Sequence, residues 1–204
     1  MTKVMTPSQQ TGMSDRQIEK AVDIYRALLS KHRSELGSDA VQRVLGQSEY
    51  VTEQVAVLRK RVEAVSNMIV RRVRVDRTRT PQEVIDATGR TQYVDKNVLA
   101  TMPKGEGEGD EVDVYFVPTK RFVPVKEVPA FLAQYGLVPD PRAQAAVNAE
   151  DSTFADKYPN GTQWGNNCYL MFDRWHGERR VRCNHSGHDW YDYWFLSGVP
   201  ASRK

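Results

Sequence analysis

From Ile18 to Ile69 apolar residues recur at alternating spacings of three and four, the pattern of an α-helical seam. Ile18, Val22, Tyr25, Leu29, His32 and Leu36 share one face of a first helix, and Val41, Val44, Ser48, Val51, Val55, Leu58, Val62, Val65 and Ile69 share one face of a second stretch. Ser14 is suited to cap the first helix and Gly37 to end it, with Ser38 and Asp39 opening the next. Gly46 and Ser48 are the weak point of the second stretch, because a glycine in a helix interior costs about 1 kcal/mol relative to alanine. The simplest arrangement is an antiparallel hairpin turning at Gly37 and Ser38. So narrow a stripe buries too little to hold two helices alone, so the hairpin is expected to dock on the rest of the chain or to self-associate. A parallel coiled coil of the second helix is the variant, with Val41, Val55, Val62 and Ile69 at a positions and Ser48 fixing register.

Beyond Ile69 the period changes. Val73 and Val75 alternate with charged residues, as in a short strand. Thr80, Pro81 and Glu83 form a capping box with proline at the first helical position, opening a short helix that Gly89 closes, and another short helix is expected near 95–102. Residues 104–110 read as an acidic, glycine-rich loop; Val112, Val114 and Phe116 alternate as a strand, with 121–125 as a plausible partner strand interrupted by Pro124. Pro129 begins a helix ending near Gly136, and Asp140 and Pro141 open one through about Asn148. Three aromatic-rich runs follow, separated by turns at 176–177 and 186–187. The predicted fold is α+β: a flexible tail over 1–13, a coiled-coil-like antiparallel helical hairpin over 14–72, and a mixed α/β domain over 73–204 ending in an antiparallel β-meander at about 164–196.

The 204 residues, 40% apolar and 27% charged, describe a globular chain with no apolar run long enough for a membrane span. The first twelve residues lack an apolar leader, so a cytoplasmic protein with reduced cysteines and no membrane partner is expected. Residues 1–80 carry 15 Lys or Arg against 9 Asp or Glu, whereas 81–204 carry 14 against 17, so any anionic partner belongs near the first half.

Three constellations bear on function. Trp175, Trp190, Tyr191, Tyr193 and Trp194 concentrate aromatic surface near the C-terminal end and form the candidate partner-binding set. Along the last run Trp190, Asp192, Trp194 and Leu196 share one face and Tyr191, Tyr193 and Phe195 the other, so one face suits a core while the other stays available. The run Arg59, Lys60, Arg61, Arg71, Arg72, Arg74, Arg77 and Arg79 could lie along nucleic-acid phosphates, although off-seam arginines are also ordinary helix surface. A two-residue turn at His176 and Gly177 would bring Cys168 opposite His185 and Leu170 opposite Cys183; with His188 these offer four zinc ligands, against the plainer reading of a buried hairpin face. No cofactor is otherwise implied. Nucleophile elbow, zinc-protease helix, phosphate loop and dinucleotide fingerprint are all missing from the sequence.

The sequence therefore predicts a non-enzymatic binding or assembly protein that associates with itself or another protein through its hairpin and shows an aromatic C-terminal domain to a partner. The alternatives are nucleic-acid binding through 59–79 and a zinc-dependent module or enzyme at 168–188.

Overall fold

The computed structural model describes residues 13–105, 111–165, 167–185 and 189–201, with 60, 63 and 64 described by backbone alone. The tail through Gly12, the Gly-Glu repeat of the acidic loop, the expected turn at 186–187 and His188 lie outside the described residues. The chain divides into two compact units, Met1–Arg59 and Lys60–Lys204.

The first unit is helical. Helix α1 spans Asp15–Lys31, and Ser14 caps it in a reciprocal box: its hydroxyl accepts from the Gln17 N–H, and the Gln17 side chain accepts from the Ser14 N–H at 2.9 Å. A 3-10 turn over Arg33–Glu35 leads to α2, Ser38–Leu45, which stops at Gly46. Helix α3, Ser48–Ser66, restarts beyond that glycine and crosses the unit boundary. The Tyr25 and Tyr50 hydroxyls lie 2.8 Å apart. No described residue of the first unit is buried.

The helical stretch expected to run to 72 ends at Ser66, and Ile69, read as the last seam residue, opens strand β1, Ile69–Arg74. β-Branched residues satisfy a seam and a strand equally well. Here pairing decides, since Ile69 faces Phe116 and Val73 faces Val112 on the neighbouring strand.

The second unit continues with α4 (Pro81–Asp86), β2 (Thr91–Val94), α5 (Lys96–Ala100), β3 (Glu111–Pro118), a 3-10 turn (Val125–Glu127), α6 (Val128–Ala133), β4 (Leu137–Val138), α7 (Pro141–Glu150), α8 (Phe154–Lys157), β5 (Asn160–Trp164), β6 (Cys168–Trp175), β7 (Glu178–His185) and β8 (Phe195–Pro200). Local chemistry sets several of these ends. Thr80 and Glu83 close the predicted capping box on α4, Gly89 takes φ +61° after it, and the Asp140 carboxylate accepts from the Ala143 N–H at the start of α7.

Among the described residues the strands form one mixed, mostly antiparallel sheet of eight, ordered β1-β3-β8-β5-β6-β7-β2, with β4 attached to β8. Among the described strands only β5–β8 and β2–β7 are parallel pairs. His176 and Gly177 both take positive φ, 49° and 84°, the two-residue turn that matches strand twist, and they set the predicted register of Cys168 opposite His185 and Leu170 opposite Cys183.

Strand β6 is buried on both faces. Leu170 and Phe172 enter one core with Ile85, Leu99 and Val181, while Tyr169 and Met171 enter a second with Leu132, Trp190, Trp194 and Leu196. A third core gathers Val73, Val114, Phe116, Val147 and Phe154.

Two strand expectations are corrected. In 121–125 only Val123 pairs, in a single bridge to Trp190, because Pro124 lacks the N–H a ladder needs and Val125 begins the 3-10 turn. The last aromatic run is not the third antiparallel strand of a meander beside β7. Residues 191–194 turn back on themselves, with the Trp194 N–H bonded to the Tyr191 carbonyl, and the strand that follows, β8, lies between β3 and β5.

Candidate functional site

The five candidate rings separate by burial. Trp190 and Trp194 are buried, edge to face at 5.4 Å, in the second core. They fill that core, a correction to their expected place on a partner-binding face. Thr119 fixes the segment from beneath by donating to the carbonyls of Tyr191 (2.6 Å) and Trp194 (3.0 Å). Tyr191 and Tyr193 point outward, stacked at 6.2 Å with planes 2° apart, and Phe122 meets the Tyr191 edge at 5.8 Å. The tryptophans and tyrosines separate as the sequence predicts, but Asp192 is exposed with the tyrosines and Phe195 packs against the third core, because the backbone over 191–194 is a turn and not a strand. Trp175 is exposed at the end of β6, beside His176.

Around Trp175 the structure assembles residues that the sequence reading passed over. Asp173 accepts from Arg180 Nε at 3.0 Å and Nη2 at 2.8 Å, and from Arg182 Nη2 at 2.8 Å. The Arg180 guanidinium lies 5.5 Å from the Trp175 ring and 6.0 Å from the Tyr93 ring. Tyr93 donates to Glu178 at 3.0 Å, which raises its phenol above the ordinary range. The result is an ion-paired and aromatic cluster across β2, β6 and β7. On the opposite face of the hairpin Arg179 grips Asp156 with Nε and Nη2, and these bonds hold the Asp156 carboxyl below its ordinary range.

The cysteines sit where the hairpin register predicts, and both are free and buried. Cys183 packs among Leu170, Phe172 and Val181; burial, then Cys168 and Asp95, push its thiol up to about 12. A thiol so placed is protonated at neutral pH. His185 is exposed at the end of β7. Among the described residues no three His, Cys, Asp or Glu side chains are placed to hold one metal ion, and His188 lies outside them.

The residues of the basic run have different local partners. Arg59 is exposed on α3, while the Lys60 side chain lies outside what is described. Arg61 donates to the Gln134 carbonyl at 3.1 Å, Arg71 stands 5.0 Å over the Phe154 ring, and Arg72 pairs with Asp113 at 2.9 Å. Arg77 pairs with buried Asp140 at 2.7 Å and Arg79 with Asp76 at 3.4 Å. Arg74 is exposed on β1.

Arg74, Arg79 and Asp76 also line a cavity of about 230 Å³ bounded by Val84 of α4 and the alanines of α7. Arg142 completes its wall, donating Nε to the Pro103 carbonyl at 3.2 Å and Nη1 to the Arg79 carbonyl at 2.5 Å.

Set against known protein families, curated proteins and solved structures, the chain matches none. Among the described residues no helix is long and apolar enough to cross a membrane.

Proposed function

We propose that the chain is a binding and assembly protein, non-enzymatic, whose N-terminal helices form an antiparallel hairpin that pairs with a second copy of itself, leaving the C-terminal unit to meet a partner through its exposed rings. One observation carries the reading. Within the first unit the seam residues Ile18, Val22, Tyr25, Leu29, Leu36, Val44, Val51, Val55 and Leu58 are 39–58% exposed, and nothing described there is buried. An aliphatic stripe this continuous marks an association surface. Its 3.5-residue period is the one two helical pairs satisfy by interlocking the same residues from each side, so a second copy supplies the complement. The Tyr25–Tyr50 contact supports folding α1 back along α3. On the second unit Trp175, Tyr191 and Tyr193 supply rigid aromatic area of the kind that anchors interfaces.

Light scattering on the full-length chain tests this. The native protein should elute above monomer mass, and Val51→Glu with Val55→Glu, both at exposed positions, should return it to monomer mass with the sheet's circular dichroism preserved. A native chain that stays monomeric as its concentration is raised would overturn the assembly role.

A further inference from the structure

The cavity beside α7 holds a feature the assembly reading does not use. Arg142 is only 4% exposed, yet both hydrogen bonds it makes go to backbone carbonyls, and among the described residues no carboxylate stands within ion-pair distance of it. Burying a guanidinium without a counter-charge is costly, and proteins ordinarily pair it. Asp140, the nearby carboxylate best placed to do so, is committed twice over, to Arg77 and to the Ala143 N–H. Desolvation, and after it the positive charge of Arg77, hold the Arg142 pKa below its ordinary value, against a smaller opposing pull from Asp140 and Asp76.

The remaining walls complete the chemistry. Arg74 and Arg79 stand at the cavity with Asp76 as the opposing charge, so the lining is net positive. Asp76 is itself occupied, accepting from the Thr78 N–H and hydroxyl and pairing with Arg79. The floor is apolar, from Val84 and from the alanines that α7 turns toward it. Larger side chains at those alanines would fill the space. At about 230 Å³ the cavity is smaller than the roughly 300–1,000 Å³ of drug-sized sites, so its occupant is compact.

We propose that this cavity binds a small organic anion: an oxyanion, carboxylate or phosphate, set against the unneutralised N–H groups of Arg142, on a short apolar body that rests over Val84 and Ala146. The planar fork of an arginine suits either oxyanion, and the burial of Arg142 strengthens the pairing. Arg74 and Arg79 guide the anion in and hold its outer oxygens.

The test is a titration of the full-length protein with benzoate, phenyl phosphate, inorganic phosphate and benzyl alcohol, followed by amide chemical shifts. Benzoate or phenyl phosphate should produce saturable shifts confined to 74–87 and 142–149, and which of the two binds tighter identifies the oxyanion. Inorganic phosphate and benzyl alcohol, each lacking half of the recognised chemistry, should bind at least about tenfold more weakly. Ala146→Leu, which fills the floor without touching a charge, should abolish the shifts, and Arg74→Gln should weaken them with the fold intact. Arg142→Lys keeps the charge without the fork and should weaken binding too; should it fail to fold, Ala146→Leu still decides. No saturable shift from either aromatic anion, undiminished binding by Ala146→Leu, or inorganic phosphate matching phenyl phosphate would each overturn the proposal. Self-association is read from Val51 and Val55, so the two readings fail independently.

Discussion

Asp173 and Arg180 face each other across the β6–β7 hairpin and share two hydrogen bonds of 3.0 and 2.8 Å, with the carboxylate almost wholly out of solvent. The same carboxylate takes Arg182. Replacing it strands two partly buried guanidinium groups, so Asp173→Ala is expected to cost about 3–5 kcal/mol in urea unfolding. Arg182→Gln leaves the two-bond pair intact and should cost about 1 kcal/mol. Equal losses from the two variants would show that Arg180 does not depend on Asp173.

The aromatic segment offers a contrast within five residues. Trp194 is fully packed and Tyr193 is turned out, so Trp194→Ala should lose about 3–5 kcal/mol while Tyr193→Ala stays within about 0.5 kcal/mol. Chemical denaturation of both variants checks this. The exposed tyrosines, and not Trp190 or Trp194, are therefore the substitutions that test the proposed partner face without unfolding the protein.

Gly161 is held by space. A Cβ there would collide with the six-membered ring of Trp190, which itself packs against Trp194 and Tyr169 and cannot easily retreat. Gly161→Ala should destabilise by about 1–3 kcal/mol. The indole fluorescence of the folded state should shift with it.

What the sequence disclosed was mostly local. Ser14, Thr80 and Asp140 cap helices because a cap reads only the next three residues. The β6–β7 register followed from a two-residue turn, and that same register sets Asp173 opposite Arg180, so the ion pair was within reach of the reasoning that aligned the cysteines. Ile69 fits a helical seam by pattern alone, because a valine- and isoleucine-rich stretch satisfies a seam and a strand alike, and its pairing with Phe116 decides between them. The insertion of β8 between β3 and β5, and the approach of Arg142 to the Arg79 carbonyl, join segments far apart in the chain, where no local propensity reaches.

The Cys183 thiol supplies a pH signature. Its folded value is raised from an ordinary 9.0 to about 12, so the buried neutral thiol costs nothing below pH 9. Between about pH 9 and 12 the unfolded chain sheds this proton and the folded chain does not, so stability falls as pH rises through that window. Cys183→Ala should be less stable at neutral pH yet lose less between pH 9 and 11, read by urea midpoints. Parallel curves for the two proteins would remove the thiol as the cause. At neutral pH the native thiol should also resist alkylation until the protein is denatured.

The order of the sheet has a consequence for synthesis. β8 joins β3, β4 and β5 at once, yet among the described strands it comes after all of its partners in the chain. Until Phe195–Pro200 clears the ribosome, β1–β3 and β5–β6–β7–β2 are two separate ribbons with bare inner borders. A message truncated before codon 195 would thus release not a shortened protein but a pair of sticky half-sheets destined for chaperones or aggregates.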